Sequence, residues 1–276
     1  MLQLRGVSVR HPASARQKMA ALSDLHLTIQ AGEQIAIIGP SGAGKTTLLH
    51  TLACAYRPEQ GSYTLFGQEP WALSQKRRHA LRRRLFLAPQ SPPLPPRQRV
   101  VTAVLAGRLP GWSLLQAVRN LMKPVDPAAA FDALARFHLQ HKLYERVDRL
   151  SGGERQRCGL ARLLLSDAGL LLVDEPLSAL DPTLAVQTLQ SLQQEAAQRN
   201  ASLICSLHQV ELARAHFKRI IGLRDGKIVF DTEYVSDDMI AALYRNAQSD
   251  LSAQQNPIAL QSELCSTTAP ADPRCF

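Results

Sequence analysis

Gly39-Pro40-Ser41-Gly42-Ala43-Gly44-Lys45-Thr46-Thr47 is the stretch whose residue types and spacing carry the clearest chemistry. It follows a short apolar run, residues 34–38, and precedes residues that suit a helix, which is the context a phosphate-binding loop requires. The glycines let consecutive backbone N–H groups turn toward one anion, and the positive end of the following helix adds to the same field. Lys45 is spaced to reach the β- and γ-phosphates of a nucleotide, and Thr46 to place its hydroxyl on a Mg²⁺ that bridges them. With glycine at about 7% of residues, this spacing arises by accident in roughly one chain per hundred of this length.

Two further segments add chemistry. In Leu170-Leu171-Leu172-Val173-Asp174-Glu175-Pro176 an apolar strand ends in adjacent acids, and ligands of α/β proteins bind at the carboxyl ends of strands. Asp174 is the natural metal-side carboxylate, while Glu175, one residue on and pointing differently, can orient or deprotonate an attacking water. Taken alone, such a pair also reads as a solvated strand end. Leu150-Ser151-Gly152-Gly153-Glu154-Arg155-Gln156 stands just ahead of a helical stretch. There Ser151 serves as the N-cap, and the glycines leave N–H groups open to an anion.

The elements that must position these residues alternate. Residues 2–9, 25–30, 34–38, 61–66 and 85–88 read as strands. So do 169–173, 202–206, 219–223 and 227–231, with helices expected at 183–199 and 209–217. Alternation of this kind implies an α/β fold built on a mainly parallel sheet covered on both faces. From about residue 100 to 144 the texture becomes helical, including 128–137, and is broken by Pro110-Gly111, Pro124 and Pro127. This reads as an all-helical insertion. Beyond about residue 247 the chain is polar and rich in Ser, Gln, Thr and Pro, which reads as a flexible tail, 247–276. No internal repeat is present, so one chain supplies one core.

The 276 residues are 45% hydrophobic, enough for a sizeable core. No run approaches the roughly 18–20 apolar residues that cross a bilayer, and Met1-Leu2-Gln3-Leu4-Arg5 lacks the regions of a signal peptide. A cytosolic location is therefore expected. Cys54, Cys158, Cys205, Cys265 and Cys275 are odd in number and form no Cys-x-x-Cys pair, so neither a zinc site nor a disulfide framework is indicated. The formal charge is +9. Part of it lies in Lys76-Arg77-Arg78-His79 and Arg82-Arg83-Arg84, on an expected helix. Such a helix reads as a solvated face, a contact near a membrane surface, or a nucleic-acid contact.

In order and spacing, the three motifs closely resemble the nucleotide-binding subunit of an ATP-binding cassette (ABC) transporter, over roughly residues 1–244. The resemblance implies a P-loop NTPase core, residues 1–246, with an antiparallel β subdomain and a helical subdomain at about 91–168. By it, Gly39 to Thr46 is the Walker A loop, Leu150 to Glu154 the signature and Leu170 to Glu175 the Walker B strand. Ser178 to Asp181 resembles the D-loop. Gln90 is the Q-loop glutamine, a Mg²⁺ and water ligand in the family, and His208 is the switch histidine that bonds the γ-phosphate.

The implied cofactors are ATP and Mg²⁺. Two copies are implied to pack head to tail, so that Ser151 and Gly153 of one close over the γ-phosphate held by Lys45 of the other. Two permease subunits, a periplasmic binding protein reached through them, and a place on the cytoplasmic face of the bacterial inner membrane also follow from the resemblance. No nucleic-acid partner is implied.

Several positions depart from the family pattern. His11 stands where an aromatic residue usually stacks on adenine. Glu154 replaces the more frequent glutamine, and Gly159 inside the signature helix is expected to cost up to about 1 kcal/mol relative to alanine. Pro92-Pro93 and Pro95-Pro96 stiffen the segment after Gln90. Residues 105–109, 112–115, 207–213 and 219–231 are similar to those of phosphonate importer ATPases, although none would touch a phosphonate, since the membrane and periplasmic subunits choose the substrate. The other readings are an importer ATPase for another substrate, a soluble ABC ATPase acting on nucleic acid, and a cassette that binds ATP without turnover.

Overall fold

The computed structural model describes residues 1–10 and 20–245. His11, Cys265, Cys275 and the expected tail, 247–276, lie outside the described residues. The molecule is organised by two sheets. A three-stranded sheet in the order β2-β1-β4 comprises β1 (Leu2–Val9), β2 (Leu22–Ile29) and β4 (Gln60–Leu65), paired antiparallel throughout. This is the antiparallel β subdomain that the resemblance implies. The larger sheet has the order β5-β6-β7-β3-β8-β9, formed by β5 (Leu85–Ala88), β6 (Leu170–Asp174), β7 (Ser202–Ser206), β3 (Gln34–Ile38), β8 (Arg219–Arg224) and β9 (Lys227–Thr232). Its first five strands run parallel, and β9 closes the edge antiparallel to β8.

The apolar runs of β3, β6 and β7 are continuous because both faces of the sheet are covered. Leu171 and Val173 join Ala36, Ile38 and Cys205 in one buried cluster, whereas their neighbours Leu170 and Leu172 join Ile35, Ile37 and Ile204 in the other. The first cluster takes in α7 (Pro182–Gln198), α8 (Val210–His216) and the helical segments α3 (Val100–Leu105), α5 (Pro127–Ala135) and α6 (Gly152–Leu164). The second takes in α1 (Lys45–Leu52) and the small sheet. The basic α2 (Gln75–Arg82), the short α4 (Leu114–Met122) and α9 (Asp237–Tyr244) complete the chain.

Expected and observed elements agree closely, and the differences have local causes. Strand β2 starts at Leu22, three residues before the expected start, because Leu22 pairs with Val9 across a register shift in which Asp24 takes φ 51°. Ser23 and Asp24 interrupt the apolar alternation there and hide the strand from a periodicity reading. The helical insertion is confirmed, but α3 is followed directly by a 3₁₀ turn through Gly111 that absorbs Pro110.

Gly159 is explained by packing. A Cβ built there would lie 2.6 Å from Pro92 Cγ, so the proline segment after Gln90 rests directly on the backbone of α6. The helix-propensity loss expected from this glycine is the condition for that contact. Gly159→Ala is therefore expected to destabilise the protein by about 1–3 kcal/mol, as overpacking does, despite a propensity gain of up to about 1 kcal/mol. Urea denaturation measures this, and an increase in stability would show that Pro92 does not bear on α6.

Candidate functional site

Because β5, β6, β7 and β3 are parallel neighbours, their carboxyl ends lie side by side. The loop after β3 carries Gly39 to Gly44, β6 ends at Asp174, and Gln90 and His208 follow β5 and β7 within two residues. Sequence positions as distant as 39, 90, 174 and 208 therefore share one edge, where α/β sheets bind ligands.

The loop is held by its glycines. Gly39 has φ 155°, and a Cβ on it would fall 2.0 Å from Leu223 O, on the neighbouring β8. Gly44, the N-cap of α1, has φ 102° and is pressed against Leu22 and Ala21. Helix α1 then begins with no side-chain cap and no acid in its first turn. The N–H groups at such a helix start have no partner within the helix, and Gly42, also at positive φ, has open space beside it. Such a cradle fits a polyphosphate.

Lys45, the first residue of α1, is buried, and its Nζ donates to Gly39 O (2.8 Å) and Pro40 O (3.1 Å). Burial lowers its pKa, and the nearby charges of Glu175 and Asp174 oppose that shift. The ammonium thus folds back over its own loop, with two carboxylates close enough to favour its charged form. Thr46 is exposed at the loop's mouth, Thr47 is buried behind it, and Pro40, Ser41 and Ala43 complete the turn.

Asp174 is buried and accepts a 2.6 Å hydrogen bond from Ser206 Oγ, which in turn accepts from Glu175 N (2.9 Å). Glu175 sits in the left-handed region at φ 49°, a conformation that costs a non-glycine residue roughly 1–2 kcal/mol. That turn takes the chain off the strand. The Glu175 carboxylate accepts from Gln90 Nε2 (2.8 Å) on one oxygen and meets His208 Nε2 with the other. Its backbone carbonyl accepts from Gln156 Nε2 (2.6 Å), on α6. Four side chains, from the ends of β5 and β7 and from α6, converge on one residue.

Ser151, Gly152, Gly153 and Glu154 stand apart from this cluster, at the start of α6. Ser151 Oγ accepts from Glu154 N (3.2 Å) and Glu154 Oε2 accepts from Ser151 N (2.7 Å), a reciprocal capping box. The backbone bond from Ser151 is the main reason the Glu154 carboxyl is held below the usual range. The glutamate that departs from the family pattern thus completes the cap with both of its partners satisfied. Gly153 is required because Ala179 O would lie 2.9 Å from a Cβ there, which brings the segment after Glu175 against the start of α6.

Sequence reading missed Ser206 and Gln156. Ser206 had a signal: it is the polar end of an apolar strand and lies opposite Asp174 in the parallel register. Gln156 gave none, since its role depends on the approach of α6 to the end of β6. The oxygen donors gathered here, the Thr46 hydroxyl, the Asp174 carboxylate and the Gln90 amide, are the hard ligands Mg²⁺ prefers. Among the described residues no group of three or more His, Cys, Asp or Glu could hold a metal, so a cation at this edge would draw on nucleotide oxygens as well. Ser206→Ala leaves a buried carboxylate and an N–H without their shared partner. It is expected to cost about 1–3 kcal/mol in urea denaturation and to lower ATP turnover more than ATP affinity; unchanged stability and turnover would remove Ser206 from the site.

Comparison with known proteins agrees with this geometry. Residues 22–178 match the model of the ABC transporter family. The chain is 56% identical over 257 residues to the phosphonates import ATP-binding protein PhnC 2 of Albidiferax ferrireducens, covering 92% of this chain and 93% of that protein. It is 58% identical over 245 residues to the phosphonates import ATP-binding protein PhnC of a Polaromonas species, covering 88% of each. Among solved structures, a dimeric bacterial ABC transporter cassette superposes with a TM-score of 0.72 at 24% identity, covering 86% of this chain and all of that one. CbiO1 from Clostridium perfringens, part of the ABC transporter complex cbiONQ, gives 0.69 at 19% identity, covering 92% of this chain and 98% of that one. Motifs, fold and sequence together place the chain in the ABC transporter family, as an ATP-binding, ATP-hydrolysing subunit.

Proposed function

We propose that the protein energises uptake of phosphonate, or of a closely related phosphorus oxyanion, as the ATPase of a bacterial ABC importer. The observation that carries the substrate is identity of 56–58% to phosphonates import ATP-binding proteins over about nine-tenths of the chain. The substrate enters only through that likeness.

In this reading the loop from Gly39 to Thr47 binds the phosphates of ATP, and Lys45 leaves the Gly39 and Pro40 carbonyls to reach the terminal ones. Mg²⁺, when bound, offsets charge on the phosphates, and Thr46, Gln90 and Asp174 are the residues suited to hold it. Glu175 is the general base: its carboxylate is aimed by Gln90 and His208 and orients water for attack. Ser151, Gly152, Gly153 and Glu154 form the phosphate-facing surface offered to a second copy packed head to tail. Two such copies work beneath two permease subunits, fed by a periplasmic binding protein, with the ATPase peripheral on the cytoplasmic face of the inner membrane. Among the described residues no helix is long and apolar enough to cross a membrane. The ATPase domain is taken as residues 1–246, with the helical subdomain at about 91–168, and His11 as the residue against adenine.

Growth of the native host on methylphosphonate as sole phosphorus source tests the assignment. Lys45→Ala is expected to abolish growth on methylphosphonate and leave growth on phosphate unchanged. Normal growth on methylphosphonate, in a host with no second such importer, would overturn the substrate.

A further inference from the structure

Helix α4 is mounted the wrong way round for an ordinary surface helix. Its aliphatic residues Leu114, Leu115, Val118, Leu121 and Met122 fall within one stripe at the i, i+1, i+4, i+7, i+8 spacing. That stripe faces out: Leu114 is 82% exposed, Leu115 78%, Leu121 63% and Met122 85%. The side turned inward carries Asn120, which is 2% exposed and accepts from Val125 N (3.2 Å). The helix is also well started, by a reciprocal capping box between Ser113 and Gln116. A capped helix that buries its asparagine and exposes four large aliphatic side chains presents an apolar surface to something outside the fold.

Charge identifies what that is. From Pro70 to Val125 the chain has no Asp or Glu and eleven Lys or Arg. With 32 basic and 23 acidic residues in all, the remainder holds 21 against 23, so the whole of the +9 belongs to this one segment. Among the described residues Arg108, paired with Asp126, is the single member of the eleven in an ion pair. Arg78 and Arg84 instead lie over the rings of Trp71 and Phe66. The two parts of the segment meet: His79, Arg82 and Arg83 from the α2 region line one cleft with Leu109 and Pro110, just before α4, and Arg83, Arg108, Pro110 and Gly111 line a second. Arg119 on α4 and Lys123, its C-cap residue, add two more cations beside the stripe.

We infer that this face docks on an anionic lipid surface, with the α4 stripe seated at the boundary between headgroups and acyl chains and the unpaired cations of residues 70–125 on the headgroup phosphates. An in-plane amphipathic helix with basic flanks is built for that boundary, and cations beside it add to binding at a negatively charged leaflet. A nucleic-acid backbone would take up the cations but offers nothing to five aliphatic side chains. The inference goes beyond the transport reading and does not depend on which molecule is transported: lipid contact by the ATPase itself would hold it at the bilayer in addition to any hold by the permease.

The test is flotation of the full-length protein with vesicles, without permease. Vesicles of phosphatidylcholine are compared with vesicles containing about one-third phosphatidylglycerol, and ATP turnover is measured in the same samples. Binding is expected on the anionic vesicles, at least tenfold weaker on the zwitterionic ones and weaker again at high salt. The exposed double variant Leu115→Glu/Met122→Glu, and separately Arg82→Glu/Arg83→Glu, are expected each to lower anionic-vesicle binding at least tenfold while turnover stays at the wild-type level. No anionic preference, or binding unaffected by both variants, overturns the proposal. Self-association of the wild type that the Leu115/Met122 variant abolishes, without vesicle binding, overturns it in favour of a second copy. Binding to duplex DNA that depends on Arg82 and Arg83 but not on Leu115 and Met122, again without vesicle binding, overturns it in favour of a polyanion. Loss of turnover in the wild type would count against the ATPase reading alone, since flotation does not require hydrolysis.

Discussion

Glu175 in its left-handed turn is the constraint on which the rest of the site depends. Its amide is fixed to Ser206 on β7, its carbonyl to Gln156 on α6, and its carboxylate to Gln90 and His208. A residue at positive φ holds only when its surroundings over-determine it, and here bonds from four side chains on three other segments do so. The arrangement also gives the acid a definite aim. A carboxylate on a freely solvated strand end samples many rotamers; this one has a donor on each oxygen.

The same set of bonds links the two halves of the protein. Gln156 belongs to α6, whose start is the signature turn, and Gln90 opens the proline segment that rests on Gly159 of the same helix. A displacement of α6 is therefore felt at Glu175 through one hydrogen bond and at Gln90 through one van der Waals contact. Pro92 makes that second link stiff, because a proline ring against a glycine backbone leaves neither side a rotamer with which to yield. The expected stiffening of this segment by its prolines has a physical seat in that contact.

Much of this was legible in the sequence because the signals were local. The observed bounds of β3, β5 and β7 coincide with those expected from short, mainly apolar runs, and the phosphate loop is legible from its spacing. Asp174 and Glu175 are legible as acids at a strand end and Ser151 as an N-cap, whereas the return bond from Glu154 that closes the capping box emerges only in the structure. What was hidden depended on tertiary approach. Ser206 matters because β7 lies beside β6 in a particular register, Gln156 because α6 comes up against the end of β6, and Gly159 because Pro92 lies on it. Helix α4 was hidden for a different reason. Its period says amphipathic, and an amphipathic pattern says nothing about which side the fold will leave uncovered until the buried Asn120 is seen.

The central claim is that Glu175, held by Gln90 and His208, is the base for hydrolysis, while the loop around Lys45 binds ATP without it. Measuring ATP hydrolysis and ATP binding for Glu175→Gln tests this most directly. Turnover should fall by about 10²–10⁴-fold, the range for losing a general base, with ATP affinity kept and a dimer accumulating in ATP. Hydrolysis at the wild-type rate would contradict the account.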